Sequence, residues 1–111
     1  MRVYVAGPYT VGDVTQNVRN AIDAADRLLK AGHAPYVPHL SHFWHLVHPG
    51  PYAQWAALDL EWVRCCYALV RLPGESAGAD REVAFANEVG CLVYFSVEKF
   101  LDAVGTVKIL R

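Results

Sequence analysis

The sequence predicts an α/β fold: a Rossmann-like or flavodoxin-like three-layer sandwich on a small parallel sheet of about four strands. Three observations predict it. Four short apolar runs have the composition of strands buried on both faces. Helical patterns separate them, and the connections are short, which for parallel strands implies right-handed crossovers.

The first strand is Val3-Tyr4-Val5-Ala6, followed by the turn Gly7-Pro8-Tyr9-Thr10. A helix begins near Asp13 to Thr15. It carries Val18, Ala21, Ile22, Ala25, Leu28 and Leu29 on one stripe, keeps Arg19, Asn20, Asp23 and Arg27 outside, and stops at Gly32, a favoured C-terminal cap. The second strand runs roughly from Ala34 to Val37. A second helix follows Pro51, because proline is tolerated in a first turn, and continues through Trp55, Trp62 and Val63 to about Cys66. Ala68 to Leu72 is the third strand, and a third helix starts around Gly78 and ends at Gly90. Leu92 to Phe95 is the fourth strand, and Val97 opens a last helix with Ser96 as its N-cap. After Gly105 the pattern is too short to assign. With no repeat, linker or low-complexity segment, residues 1–111 are expected to form one domain.

Composition narrows the function classes. A chain of 111 residues that is 54% hydrophobic suits a globular domain with apolar surface to spare, so a homodimer or higher homo-oligomer is expected. Ten basic and 11 acidic residues are interspersed to a net charge of -1, which argues against a nucleic-acid polymer and for a small-molecule substrate. The three cysteines include the adjacent Cys65 and Cys66, which fits a reducing compartment better than a disulfide framework. The N-terminus enters a strand directly, without a long apolar leader, and no window is long enough to cross a bilayer. A cytoplasmic protein with no membrane partner is expected.

In open parallel sheets, ligands bind beyond the carboxyl ends of the strands where the strand order reverses. That rule singles out two loops. In the first, Gly7 and Pro8 precede Tyr9, whose ring suits stacking on a base and whose hydroxyl suits a sugar; a plain turn is the simpler alternative. In the second, Ser76 and Gly78 open a helix, where a hydroxyl and unhindered amides suit a phosphate or ribose. Ser76 as a cap alone is equally compatible.

Within that helix, Ala79, Glu82, Val83, Ala86 and Gly90 share a stripe, so Glu82 points inward. A carboxylate among apolar residues must be paired, hydrogen-bonded or functional. Asp59 repeats this logic, on one face with Trp55, Trp62, Val63 and Cys66. Two converging carboxylates suit glycosyl transfer; a salt bridge to Arg71 or Arg64 is the structural alternative.

Residues 38–49 hold four of the five histidines, spaced by three. On an α-helix each step of three drifts about 60°, so the four cannot all ligate one ion, and the usual zinc spacing is absent. No metal and no cofactor is expected. The segment is expected to be a substrate-covering flap in which His and Trp side chains, His42 and Trp44 among them, contact a base or face a neighbouring subunit.

These residues resemble the nucleoside 2-deoxyribosyltransferase-like family, which includes nucleotide N-glycosidases. The resemblance spans roughly residues 2–96. It rests on Val3-Tyr4-Val5-Ala6-Gly7-Pro8-Tyr9, on Asp59-Leu60, on Ser76-x-Gly78-x-x-x-Glu82, and on Ala86 and Gly90. It implies that Glu82 attacks C1′ of the sugar to form a glycosyl ester, that Asp59 contacts the sugar or departing base, and that Tyr9 lies near both. It also implies that Gly7 and Pro8 line the substrate, and that Ser76 and Gly78 hold its 5′ end, the serine favouring a 5′-phosphate. Tyr67 departs from the family pattern, where an aspartate opens the third strand. The absence of the C-terminal extension of characterised transferases favours hydrolysis over transfer to a second base. A non-catalytic nucleotide-binding or sensor module is the alternative from another class, and metal-assisted hydrolysis through the histidines ranks last.

Overall fold

The computed structural model describes residues 1–106. Four parallel strands, β1 (Arg2–Ala6), β2 (Ala34–Tyr36), β3 (Ala68–Arg71) and β4 (Leu92–Tyr94), form one sheet in the order β2-β1-β3-β4. Helices α1 (Val14–Lys30), α2 (Ser41–Val47), α3 (Tyr52–Cys65), α4 (Ala77–Val89) and α5 (Val97–Val104) connect and follow the strands. The doubly wound three-layer architecture expected from the sequence is the one observed.

Alternation along the central strands divides the core. Val3 and Val5 of β1, with Ala68 and Val70 of β3, pack on Ala21, Ala24, Ala25 and Leu28 of α1 and on Val97 and Phe100 of α5. Tyr4, Ala6 and Leu69 face the other way, onto Val63 of α3 and onto Ala79 and Ala86 of α4. Both faces are covered, so these strands read as continuous apolar runs rather than alternating ones.

Two local findings differ from the sequence expectations. The buried stripe of α1 is Val18, Ala21, Ala24, Ala25 and Leu28, while Ile22 and Leu29 are exposed; the small alanines, not the larger residues, let α1 approach the sheet. Gly90 does not continue the buried stripe of α4 but caps it, exposed, in the left-handed conformation at φ 81°. The segment expected as a substrate-covering flap forms a 3₁₀ turn, Pro38–Leu40, leading into α2. Residues 107–111, part of the stretch left unassigned after Gly105, lie outside the described residues.

The strand order reverses between β1 and β3. Their carboxyl ends are tied together by Leu72 N–H donating to the Ala6 carbonyl at 2.8 Å. The loops that leave these ends clasp one another: a Cβ on Gly7 would lie 3.1 Å from Leu72 Cβ, and one on Gly74 would lie 2.8 Å from Pro8 Cγ. Glycine is therefore required at Gly74 twice over, by this approach and by its φ of +114°.

Candidate active site

A cavity of about 610 Å³ opens at this crossover, within the range usual for small-molecule sites. Its walls come from the β1–α1 loop, α2, α3 and the start of α4. Of the residues singled out in the sequence, Gly7, Tyr9, Asp59, Ser76, Gly78 and Glu82 line it. Pro8, His42 and Trp44 do not. Pro8 turns away to pack on Gly74 and, with Asn17, Asn20, Leu72 and Pro73, borders a separate small depression. His42 stands behind Tyr9, its Nδ1 2.5 Å from the Tyr9 hydroxyl. Trp44 is 54% exposed and meets Trp55 edge to face, so Trp55 is the indole that reaches the cavity.

Glu82 projects from α4 towards β1, where the hydroxyl of the fully buried Tyr4 donates to its Oε2 at 2.6 Å. The Tyr4 ring is held in turn by stacking on Tyr36, which stacks on Trp62. Burial pushes the Glu82 carboxyl up to about 7, against the opposing pull of the Tyr4 hydrogen bond and of the Arg81 and Arg71 charges. Burial, and then the charge of Glu82, raise Asp59 to about 7 as well. Asp59 Oδ1 is buried without a hydrogen-bond partner among the described residues. Neither arginine considered as its partner reaches it: Arg71 pairs with Asp80 and Arg64 lies over the Phe85 ring.

Two acids that ordinarily ionise near pH 4 thus share an apolar cavity and titrate together around neutrality. Tyr4 breaks the symmetry between them. A donor aimed at Glu82 favours its anion, while Asp59, with no donor at Oδ1, is the better holder of the shared proton. The Tyr4 hydroxyl itself is held protonated, its acidity suppressed by burial and by the neighbouring carboxylates.

The mouth of the cavity is polar. Ser76 is the N-cap of α4, its Oγ accepting from Ala79 N–H and its carbonyl from Asp80 N–H, each at 3.0 Å, which leaves the amides of Ala77 and Gly78 without an acceptor within the helix. Arg81 lies over the Tyr52 ring and donates to its hydroxyl at 3.1 Å, and both residues line the same cavity. Gly78 permits this arrangement, because a Cβ there would stand 3.1 Å from the Tyr52 hydroxyl.

The histidines are separated by function rather than gathered. His39 Nε2 faces the carbonyls of Gly7 at 3.2 Å and Pro8 at 3.0 Å. Carbonyls only accept, so Nε2 carries the proton and the ring pins the β1–α1 loop. Burial lowers its basicity, keeping it neutral. His45 Nδ1 accepts from Trp55 Nε1 at 3.1 Å and from Gly50 N–H at 3.2 Å. Among the described residues no three His, Cys, Asp or Glu side chains stand together as a metal site.

Tyr4, His39, His45, Tyr52, Trp55 and Arg81 are thus the cavity's neighbours that the loop rule does not reach. Two of them carry a signal in the sequence: a tyrosine in a buried strand needs a partner for its hydroxyl, and an arginine just before an inward glutamate sits at the same helix end.

Comparison with solved structures returns the fold. The chain is similar to a 2-deoxyribosyltransferase from the psychrotolerant bacterium Bacillus psychrosaccharolyticus, with a TM-score of 0.59 and 18% identity over 84% of this chain and 69% of that one. It is also similar to a 2-deoxyribosyltransferase from Leishmania mexicana, with a TM-score of 0.60 and 15% identity over 83% of this chain. Only 61% of the Leishmania protein is spanned. No match is found among curated protein sequences. No helix among the described residues is long and apolar enough to cross a membrane. Residues 1–96 match the family model described as "Domain of unknown function (DUF7768)", and the chain belongs to that family.

Proposed function

We propose that the protein is an N-glycosidase or deoxyribosyltransferase that cleaves the N-glycosidic bond of a nucleoside or nucleoside 5′-monophosphate. The observation that carries this reading is the pair of unlike carboxyls in one cavity: Glu82 held by Tyr4, and Asp59 with no donor at Oδ1 among the described residues. The fold it shares with two 2-deoxyribosyltransferases supports it.

In the proposed reaction the ionised Glu82 attacks C1′ of the sugar. The C1′–N bond breaks, its electron pair stays with the base, and Asp59 delivers the proton to the leaving nitrogen. The ester left on Glu82 is opened by water, which Asp59, now ionised, deprotonates; a second base in place of water gives transfer. A nucleophile that is anionic and an acid that is protonated at the same pH are what this sequence of steps needs. Tyr9 and Trp55 flank the cavity as stacking surfaces for the base. The α4 N-terminus, Ser76 and Arg81 supply positive potential for the 5′ end, which favours the monophosphate. No cofactor is required by these steps.

The working form proposed is a homo-oligomer in the cytoplasm, with residues 1–111 as one domain. Residues 31–58 contain no Asp, Glu, Lys or Arg, and α2 within them buries none of its residues while Phe43, Leu46 and Val47 are 60%, 64% and 72% exposed. A face without charge meets its own copy without like-charge repulsion.

Incubation of the purified protein with a panel of nucleosides and their 5′-monophosphates, followed by chromatography for free base, tests the activity. Release from at least one monophosphate is expected; folded protein that releases base from none of them overturns the reading.

A further inference from the structure

Arg71 ends β3, in register with Ala6, and is only 8% exposed. Its guanidinium donates to the carbonyl of Leu72, to the carbonyl of Gly74 at 3.0 Å, and to Asp80 Oδ1 at 2.9 Å. Asp80 belongs to the first turn of α4, two residues before Glu82. Because Gly74 is packed on Pro8, the arginine that holds Gly74 also seats the β3–α4 loop on the β1–α1 loop. A cation buried this deeply is costly unless its donors are satisfied. Here they are satisfied by the two loop carbonyls and one carboxylate that fix the entry to α4.

We propose that Arg71 is a positioning residue for Glu82: the fork of its guanidinium fixes the β3–α4 loop and the first turn of α4, and with them the direction from which Glu82 enters the cavity. The proposal rests on the reading of Glu82 as nucleophile. The groups that act on Glu82 are Tyr4 from β1, Tyr36 from β2, Asp59 from α3, Arg71 from β3 and Arg81 from its own helix, and the charges of the two arginines oppose the effect of burial on its carboxyl. Arg81 is exposed and engaged by Tyr52, which leaves Arg71 as the buried cation among them.

Charge and fork are separable. Arg71→Lys keeps the charge and loses the fork, whereas Arg71→Met loses both; Arg71→Gln, which retains an amide for the loop carbonyls, serves if the methionine variant does not fold. Glu82 protonation is followed by ¹³C NMR of glutamate-labelled protein, its resonance assigned by disappearance in Glu82→Gln, and turnover is followed as base release against pH. In the uncharged variant the Glu82 titration is expected to move up, with the acid limb of kcat/KM moving alongside. In Arg71→Lys the titration stays in place while kcat falls by about tenfold, as expected of a loosened loop. A folded, uncharged variant whose Glu82 titrates where the wild type does, or a lysine variant with undiminished kcat, overturns the proposal. If the wild type releases no base but the titration still moves, it is the glycosidase reading that fails and the charge effect of Arg71 that stands.

Discussion

The hydroxyl of Tyr4 lies 2.6 Å from Glu82 Oε2, joining the second core position of β1 to the inward face of α4. Tyr4 is fully buried and Glu82 partly so, and this bond fixes one oxygen of the glutamate and favours its ionised form.

Tyr4→Phe keeps the ring, its packing and its stack on Tyr36, and removes only the donor. A loss of about 1.5–3 kcal/mol in stability is expected where Glu82 is ionised, because a hydrogen bond to a charged group is removed. Base release is expected to fall by about ten- to hundredfold, with the acid limb of the pH profile displaced upward. Kinetics across pH 5 to 9 check this; an unmoved acid limb contradicts it.

Folding stability should itself report the two carboxyls. Glu82 and Asp59 both hold their protons more tightly folded, at about 7, than their ordinary values of 4.5 and 3.8. Below the ordinary values, folded and unfolded chains are both protonated and the pair is neutral in its effect. As the pH rises from there to about 7, the unfolded chain ionises first, and folding loses stability; above about 7 the loss is complete. Glu82→Gln and Asp59→Asn should therefore be more stable than the wild type at pH 8 by about 1–3 kcal/mol and indistinguishable from it at about pH 3. Urea denaturation at the two pH values measures the difference, and a variant destabilised at pH 8 contradicts it.

Gly74→Ala tests the clasp between the two loops. The new methyl group meets Pro8 at 2.8 Å in a backbone conformation that alanine rarely adopts. A loss of about 1–3 kcal/mol is expected, together with a raised KM for any substrate, since the Pro8 loop carries Tyr9. Thermal denaturation and steady-state kinetics check it; wild-type values in both contradict a rigid clasp.

Much of the fold is legible in the sequence, because buried parallel strands and alanine-lined helices leave strong local patterns. The runs around Val3, Ala68 and Leu92 announce themselves, and Asp13, Ser76 and Ser96 cap their helices as their residue types suggest. Helix α2 is not legible, for it buries none of its residues and so has no apolar stripe; the regular histidine spacing masks a helix whose members each serve a different partner. In the site, Glu82 and Asp59 stand out as acids on apolar faces. Pro8, His42 and Trp44 do not reach the cavity, because proximity along the chain does not say which side of a loop or short helix a side chain takes. Tyr4 escapes notice for the opposite reason: one tyrosine among valines reads as core until the position of Glu82, 78 residues away, is known.

Helix α2 offers the test of assembly. Val47→Asp places a charge at a position that is 72% exposed, away from the cavity. The wild type is expected to run as a homo-oligomer in light scattering, and this variant as a folded monomer. A monomeric wild type contradicts the assembly.

In the proposed reaction Glu82 takes the sugar. Intact-protein mass spectrometry after rapid quenching with the best substrate of the panel tests it most directly. A mass increase of one glycosyl group is expected, located by peptide mapping to Glu82 and absent, with base release, from Glu82→Gln. Base release by Glu82→Gln at the wild-type rate, or an adduct on another residue, would contradict it.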